Sequence, residues 1–487
     1  MTAALIAADW DGKLYSSGWR DADGGTLDVL EKGTGEPLAT VGLASARDVA
    51  DAAERAAAAQ PAWAETPFEA RAAVLRRAAD ILEERAPSVV EWLVRETGEI
   101  RRRAEHEVRI SVGEIREAQG LCGQPYGHLL PSGDPGRTSF AQRVPVGIVG
   151  AITPWNAPVI LGVRVIAPAI ALGNAVLIKP DHQTPVTGGL LLAAIFEDAG
   201  LPEGVLHALP GAAAAGEALV TDPRTRLISF TGSTATGRRV GELAGQHLKK
   251  VSLELGGNNA MIVLDDADLD RATSSGAWGS FLHQGQLCFS TGRHLVHERV
   301  AGDYLDALTA RAEALKVGDP WASDVELGPI INRRQLDRFD AIVHDTVAAG
   351  ATLRTGGTHE DLFYRPTVLG DVTPAMRAFH EEIFGPVAPV TTFSTEAEAV
   401  ALANRTEYGL TASIYTSSMG RGQRLARAMR VGMVHINDTT INDQAAAPFG
   451  GMGASGNGGR FGTLANWEEF TQWQWCTARD EAPRFPF

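Results

Sequence analysis

Val146-Gly147-Ile148-Val149-Gly150-Ala151-Ile152-Thr153-Pro154-Trp155-Asn156-Ala157-Pro158 is an apolar run halted by prolines. Val146 to Ile152 have the length and composition of a buried strand, and Pro154 and Pro158 fix the backbone of the turn around Asn156. Short apolar runs recur at Ala175 to Ile178, Val205 to Leu209, Leu227 to Phe230 and Val251 to Leu255, with helix-like segments between them. That alternation predicts a parallel, doubly wound α/β sheet that takes ligand at the carboxyl ends of its strands. A second series follows Asn259, at Met261 to Leu264, Leu295 to Val296, Pro389 to Phe393, Ser413 to Tyr415 and Gly432 to Ile436, and predicts a second α/β domain. The N-terminal part reads as helical. Ser45-Ala46-Arg47-Asp48 and Thr66-Pro67-Phe68-Glu69 have the form of capping boxes, the second with proline at the first helical position. Gly120 to Arg143, rich in glycine and proline, reads as an excursion from the domain body.

Composition narrows the function classes. The 487 residues suffice for two or three domains, and 44% hydrophobic with 21% charged residues is ordinary for a globular protein. A net charge of −15 argues against nucleic acid or an anionic membrane as the partner. Cys122, Cys288 and Cys476 make no disulfide framework, and the first 30 residues hold no basic-then-apolar secretory signal, so a cytoplasmic location is expected. Val144 to Val163 carry no charge, but the prolines and Asn156 within them favour a buried strand and turn over a membrane span. No internal repeat or low-complexity tail is evident.

Chemistry concentrates in three segments. In Gln284-Gly285-Gln286-Leu287-Cys288, glycine and the polar residues break the helical pattern of Ala277 to Leu282, which puts Cys288 in a loop or turn. A lone cysteine also reads as a small buried hydrophobe. In Val251-Ser252-Leu253-Glu254-Leu255-Gly256-Gly257-Asn258, Glu254 lies in a strand closed by glycines, where a solvated carboxylate is unexpected. A thiolate attacks carbonyl carbon, and a carboxylate activates the water that later frees the acyl group. Asn156 offers an amide to an oxyanion, although asparagine in a turn is also ordinary turn chemistry.

Together these segments resemble the aldehyde dehydrogenase superfamily. The pattern is carried by Pro154-Trp155-Asn156, Lys179-Pro180, Phe230-Thr231-Gly232-Ser233, Glu254-Leu255-Gly256-Gly257-Asn258, Gly285-Gln286-Leu287-Cys288, Glu382-Ile383-Phe384-Gly385-Pro386 and Pro448-Phe449-Gly450-Gly451, in family order. The resemblance implies a Rossmann-type NAD(P)-binding domain over 1–122 and 146–256, a catalytic domain over 257–460 and a small β oligomerisation element over 123–145 and 461–487. It implies that Cys288 adds to an aldehyde, that Asn156 and the Cys288 N–H stabilise the alkoxide, that hydride leaves for NAD(P)+, and that Glu254 activates water against the thioester. Around the cofactor it places Ile152, Thr153, Pro154, Trp155, Lys179, His182, Gly232, Ser233, Glu254, Leu255, Gly256, Glu382 and Phe384. Lys179 would meet the adenosine ribose, Ser233 and Gly232 the dinucleotide at a helix start, and Glu382 the nicotinamide ribose. His182 stands where NAD-specific relatives commonly carry a ribose-binding glutamate. NADP+ is therefore expected alongside NAD+, with the adjacent Asp181 pointing elsewhere.

Phe281 to Gln286, Lys179 to Pro185 and Gly450 to Gly459 resemble the benzaldehyde and vanillin dehydrogenase branch, which implies an aromatic aldehyde. Trp155, Leu161, Leu287, Phe289 and Phe449 are the apolar positions expected to line the substrate tunnel, and Ala157 departs from the aromatic residue common after the asparagine. Arg164 is open to two readings, an acidic-substrate contact or a helix-surface or interface salt bridge. A general aliphatic or semialdehyde dehydrogenase, and a non-catalytic dehydrogenase-like binding protein, remain the alternatives. Other features read structurally. His294 and His297 would face opposite sides of a strand, which disfavours a metal site. Asp265, Asp266, Asp268 and Asp270 would cap and charge the following helix. His283 would hydrogen-bond its loop rather than serve as base, and Gly450 to Gly459 would be a mobile loop at the substrate entrance. Trp473 and Trp475 alternate with Gln472 and Gln474, as in a strand with one apolar face. It would pair with the Gly120 to Arg143 excursion of another subunit in a homodimer or homotetramer, or else lie in its own chain's core.

Overall fold

A computed structural model describes residues 10–487. Five of the apolar runs form parallel strands in the order Lys250–Glu254, Thr225–Thr231, Ile148–Ile152, Ala175–Lys179, Leu206–Ala208. Each pairs in register with its neighbour, for example Ile152 with Lys179 and Thr231 with Glu254. The chain starts this parallel set in the middle, at Ile148–Ile152, moves out to one side, then returns to build the other. That reversal opens a crevice beyond the carboxyl ends of Ile148–Ile152 and Thr225–Thr231, where doubly wound sheets hold their ligands.

The N-terminal reading needs correction. Before the first helix the described chain forms strands at Lys13–Ser16, Trp19–Asp21, Thr26–Leu30 and Pro37–Gly42; Lys13–Ser16 extends the main sheet antiparallel to Leu206–Ala208, and Trp19–Asp21 pairs antiparallel with Lys13–Ser16. These strands are only three to six residues long, too short for a periodic pattern to separate them from loop. Ser45 does cap Ala46–Glu65 with the full reciprocal box through Asp48. Thr66 does not cap: Pro67 occupies that position without a side-chain bond, and the Thr66 hydroxyl turns back to the Ala62 carbonyl.

The second sheet runs Thr352–Thr355, Thr367–Gly370, Val387–Phe393, Thr291–His297, Asn259–Val263, Thr411–Tyr415, Met433–Ile436, parallel but for its first pair. Helix Pro158–Ala171 runs behind the first sheet with every residue but Leu161 buried. Each such fully buried Val, Ile or Leu contributes about 1.5–3 kcal/mol, which fixes the helix rigidly below the turn that carries Asn156.

A third sheet joins Thr471–Arg479, Arg137–Pro145 and Gly127–Leu130. The C-terminal strand thus pairs with the excursion of its own chain, correcting the expected cross-subunit pairing, and it is no core strand. Trp473 and Trp475 are 49% and 70% exposed. Arg143 lies 4.0 Å over the Trp473 ring, and the Trp475 indole donates to Ser139. The described residues include no helix long and apolar enough to cross a membrane.

Candidate active site

Asn156 is held from below. The first free N–H groups of helix Pro158–Ala171, those of Val159 and Ile160, donate to Glu107 Oε1 at 2.8 and 3.3 Å, so a carboxylate from helix Arg101–Leu121 satisfies a helix start. Arg103 pairs with Glu107 and reaches the Asn156 carbonyl. The Asn156 amide, buried, donates from Nδ2 to the Gln286 carbonyl at 2.8 Å. That bond ties the turn to the loop bearing Cys288 and leaves the second amide proton for another acceptor.

The cysteine loop is tightly specified. After helix Leu269–Phe281, His283, Gln284 and Gly285 all adopt left-handed backbone, with φ of 51°, 56° and 68°. Such consecutive strain persists only where neighbours impose it. Gln284 Nε2 donates to the Pro329 and Gly98 carbonyls, and Gln286 Oε1 accepts from the Ile331 N–H. A Cβ on Gly285 would fall 2.2 Å from the Gly385 carbonyl oxygen, so glycine is required for close approach as well as for φ. Cys288 follows, as expected, outside regular structure, and its carbonyl accepts from Asn259 Nδ2 at 2.9 Å. Burial raises its thiol, the Glu382 and Glu254 carboxylates raise it further, and Arg164 opposes them. The His283 ring is buried and faces the Asn156 backbone rather than bonding its own loop, which corrects that expectation. Burial and Arg103 hold it neutral.

Glu254 ends the strand Lys250–Glu254 and is 4% exposed, with the Gly451 backbone N–H near its carboxyl. Burial pushes it well above the ordinary glutamate range, against the pull of Arg460 and Arg164. The glycine-rich segment behind it is no mobile loop. Gly456 bridges Glu254, Ser455 bonds the Leu255 N–H and the Gly256 carbonyl, Asn457 bonds the Leu253 N–H, and Arg460 grips the Gly451 and Gly459 carbonyls. The run pairs as an extra edge along the Glu254 strand, a contact invisible to local composition.

At the crevice of the first sheet, Ser233 caps helix Thr234–Gln246, presenting a helix start beside Gly232. Thr153 donates its backbone N–H to the Lys179 carbonyl, and Pro154 and Ile152 are half-buried. Lys179 donates to the Pro180 carbonyl, and burial holds its ammonium below the usual lysine range. Glu382 accepts from the Gly257 N–H at 2.9 Å and is pushed up to about 7 by burial. A Cβ on Gly256 would lie 2.3 Å from its oxygen. Phe384, at φ 56°, packs edge-on against Trp155 with centroids 5.7 Å apart. These residues fit a dinucleotide: a helix start for phosphate, a lysine and a glutamate for hydroxyls, and aromatic faces for a ring. His182 is exposed, with Asp181 Oδ1 3.3 Å from its Nδ1 and bonded to the Gln183 N–H. Asp181 therefore folds back onto His182, correcting the expectation that the two diverge.

On the other side of Cys288, Leu287 is buried, Leu161 half-buried, and Phe289 meets Phe449 edge-on at 5.8 Å. Arg164 is neither a helix-surface cation nor an interface group. Buried, it is bound by Glu114 and Asp443 and stacks 4.8 Å over Phe449. Sequence reading missed Glu107, Arg103, Glu114, Asp443 and Arg460. The spacing of Arg103 and Glu107, four apart on helix Arg101–Leu121, with Glu99 four residues earlier just ahead of the helix, was a usable signal for the first pair. Elsewhere, Asp268 caps its helix and Asp270 charges the first turn, but Asp265 and Asp266 instead clasp Arg421. His294 bonds Ser280 and Tyr304.

Residues 19–476 match the Aldehyde dehydrogenase family. The chain belongs to the aldehyde dehydrogenase family. It is 52% identical to a vanillin dehydrogenase of Amycolatopsis sp. over 98% of both chains, and 52% identical to a benzaldehyde dehydrogenase [NAD(+)] of Pseudomonas putida, again over 98% of both. Among solved structures it resembles an NADP dependent enzyme of E. coli, with TM-score 0.94, 33% identity, and 98% of this chain and 100% of that one covered. A betaine aldehyde dehydrogenase from Staphylococcus aureus in complex with NAD+ aligns with TM-score 0.95 at 30% identity, over 100% of this chain and 98% of that one.

Proposed function

We propose that this dehydrogenase oxidises aromatic aldehydes of the benzaldehyde or vanillin type to carboxylic acids, using NAD+ or NADP+, with Cys288 as nucleophile, Glu254 as base and Asn156 as oxyanion donor. The observation that carries the reading is the bond from the Asn156 amide to the Gln286 carbonyl, which sets an amide beside the cysteine loop, together with the burial that pushes the Glu254 carboxyl up. The Cys288 thiol gives its proton to water, the resulting thiolate adds to the carbonyl carbon, and the oxygen that gains charge accepts from the free Asn156 amide proton. Lys179, Ser233 and Glu382 would hold the cofactor, and its nicotinamide, when bound, supplies the acceptor for the hydride that leaves the cysteine adduct. Glu254 then takes a proton from water as that water attacks the thioester carbon, and the acid and the Cys288 sulfur separate. Phe289, Phe449, Trp155, Leu161 and Leu287 give the walls the apolar and aromatic surface that an aryl ring favours.

The domain limits given above, with 123–145 and 461–487 as an oligomerisation element, form part of the same proposal. The exposed Trp473, Trp475 and Leu129 of the third sheet would be covered in a homodimer or homotetramer. The free thiols suit a reducing cytoplasm. A steady-state panel of benzaldehyde, vanillin, hexanal and succinic semialdehyde with both cofactors tests the function. The aromatic aldehydes should show the highest kcat/KM. A lead for hexanal or succinic semialdehyde would overturn the substrate class, and no NAD(P)H with any aldehyde would restore the non-catalytic reading.

A further inference from the structure

Lys32 lies outside the chemistry described so far. It is 8% exposed, in the turn between strands Thr26–Leu30 and Pro37–Gly42, and its backbone N–H donates to the Arg95 carbonyl at 2.9 Å. Its ammonium reaches the back of residues 179–185, the segment assigned above to the adenosine ribose. There Nζ donates to Gln183 Oε1 at 3.1 Å, Gln183 Nε2 meets His182 Nε2 at 2.9 Å, and His182 Nδ1 lies 3.3 Å from Asp181 Oδ1. Asp181 Oδ1 also accepts from the Gln183 N–H at 2.9 Å. Donor chemistry fixes the whole chain. An ammonium only donates, so it turns the Gln183 amide oxygen inward and the NH2 outward; the NH2 only donates, so His182 Nε2 accepts, and a neutral ring then carries its proton on Nδ1, the side of Asp181. Glu96, from helix Ala86–Thr97, secures the next residues by accepting from the Val186 and Thr187 N–H groups at 2.9 and 2.8 Å.

Charge follows the same path. Burial pulls the Lys32 ammonium below the usual lysine range, and the Glu96 and Asp181 charges pull it back. Asp181 likewise bears on Lys179. Two cations thus stand against two carboxyl groups, and a buried charge is felt more strongly than one in water. Without Lys32 the segment would carry an excess negative charge where a 2′-phosphate enters.

We propose that Lys32 is a positioning residue for cofactor choice: through Gln183 and His182 it holds the Asp181 carboxylate against its own turn and offsets its charge, which keeps the ribose site open to a 2′-phosphate. The inference rests on the reading that NADP+ is accepted alongside NAD+, and it names the group behind that acceptance.

The test reads the adenosine half by itself: dissociation constants of adenosine 2′,5′-bisphosphate and 5′-AMP, from calorimetric titration of the full-length enzyme, beside kcat and KM with NADP+ and NAD+. Lys32→Met keeps the stem and loses the charge. It should weaken the bisphosphate by about tenfold and 5′-AMP by less than about twofold, and should raise KM for NADP+ with kcat retained. Asp181→Asn should move the ratio of the two dissociation constants the other way, and adding it to Lys32→Met should bring that ratio back toward wild type. Should Lys32→Met fail to fold, Gln183→Leu cuts the chain one link nearer the ribose and should move the ratio in the same direction as Lys32→Met. Equal weakening of both nucleotides in the Lys32 or Gln183 variant would mean that these residues only support the fold, and an unchanged ratio in Asp181→Asn would mean that its charge is not felt at the ribose; either result overturns the proposal. Wild type that takes both nucleotides while the variants leave the ratio alone sinks this inference and spares the dual use of cofactors. Wild type that binds 5′-AMP but excludes the bisphosphate sinks both.

Discussion

Glu254→Gln separates the two chemical steps and also alters stability, because the same burial governs both. The side chain keeps its shape but can no longer take a proton. Acylation does not need that proton transfer, so the variant should release about one equivalent of NAD(P)H in a burst and then stall, with steady turnover down by about 10²–10⁴-fold, the usual contribution of a positioned base. The stability effect follows from the carboxyl's burial, at 4% exposed. Its folded pKa stands well above the ordinary 4.5. Below the unfolded pKa both states hold the proton and the contribution is flat. Between the two pKa values only the folded protein holds it, so wild-type stability falls as pH rises, by about 1.4 kcal/mol per pH unit, and above the folded pKa the loss is complete. Glutamine carries no such proton. The variant should therefore gain on wild type as pH rises from about 5. Rapid mixing with detection of the reduced cofactor reads the burst (about one cofactor equivalent), and urea midpoints across the pH range read the stability gap. Steady turnover close to wild type, or a gap that does not change with pH, would refute the reasoning.

Cys288→Ala should abolish dehydrogenase activity and retain cofactor binding by fluorescence titration, while Cys122→Ala and Cys476→Ala stay active; more than a few per cent of wild-type turnover in purified Cys288→Ala would remove it as nucleophile. Asn156→Ala should cost about 3 kcal/mol, roughly a hundredfold in rate. A change below about fivefold would mean that the amide serves only to tie the turn to Gln286. His182→Glu, restoring a carboxylate beside the adenosine ribose, should shift the NAD+ to NADP+ ratio of kcat/KM toward NAD+ by about tenfold, and an unchanged ratio would place cofactor choice elsewhere.

Local pattern was enough for much of this protein. The strands at Ile148–Ile152, Ala175–Lys179 and Thr225–Thr231 were legible because a strand buried on both faces must be continuously apolar, and the turns that end them carry their own glycine and proline signals. Cys288 in a loop, Glu254 at a strand end and Asn156 in a proline-fixed turn were legible for the same reason. The short strands between Lys13 and Gly42 were not, since runs of three to six residues are too short to show a period, and pairing decides them: Lys13–Ser16 with Leu206–Ala208, Trp19–Asp21 with Lys13–Ser16, and Thr26–Leu30 with Pro37–Gly42. What surrounds the reacting groups belongs to tertiary structure alone. Arg164 meets partners 50 and 279 residues away, and the glycine-rich run clamps Glu254 from about 200 positions downstream. Charge and burial at one point in space are set by every segment that converges there, so the pKa shifts of Cys288, Glu254 and Glu382 arise only when the two sheets close on each other.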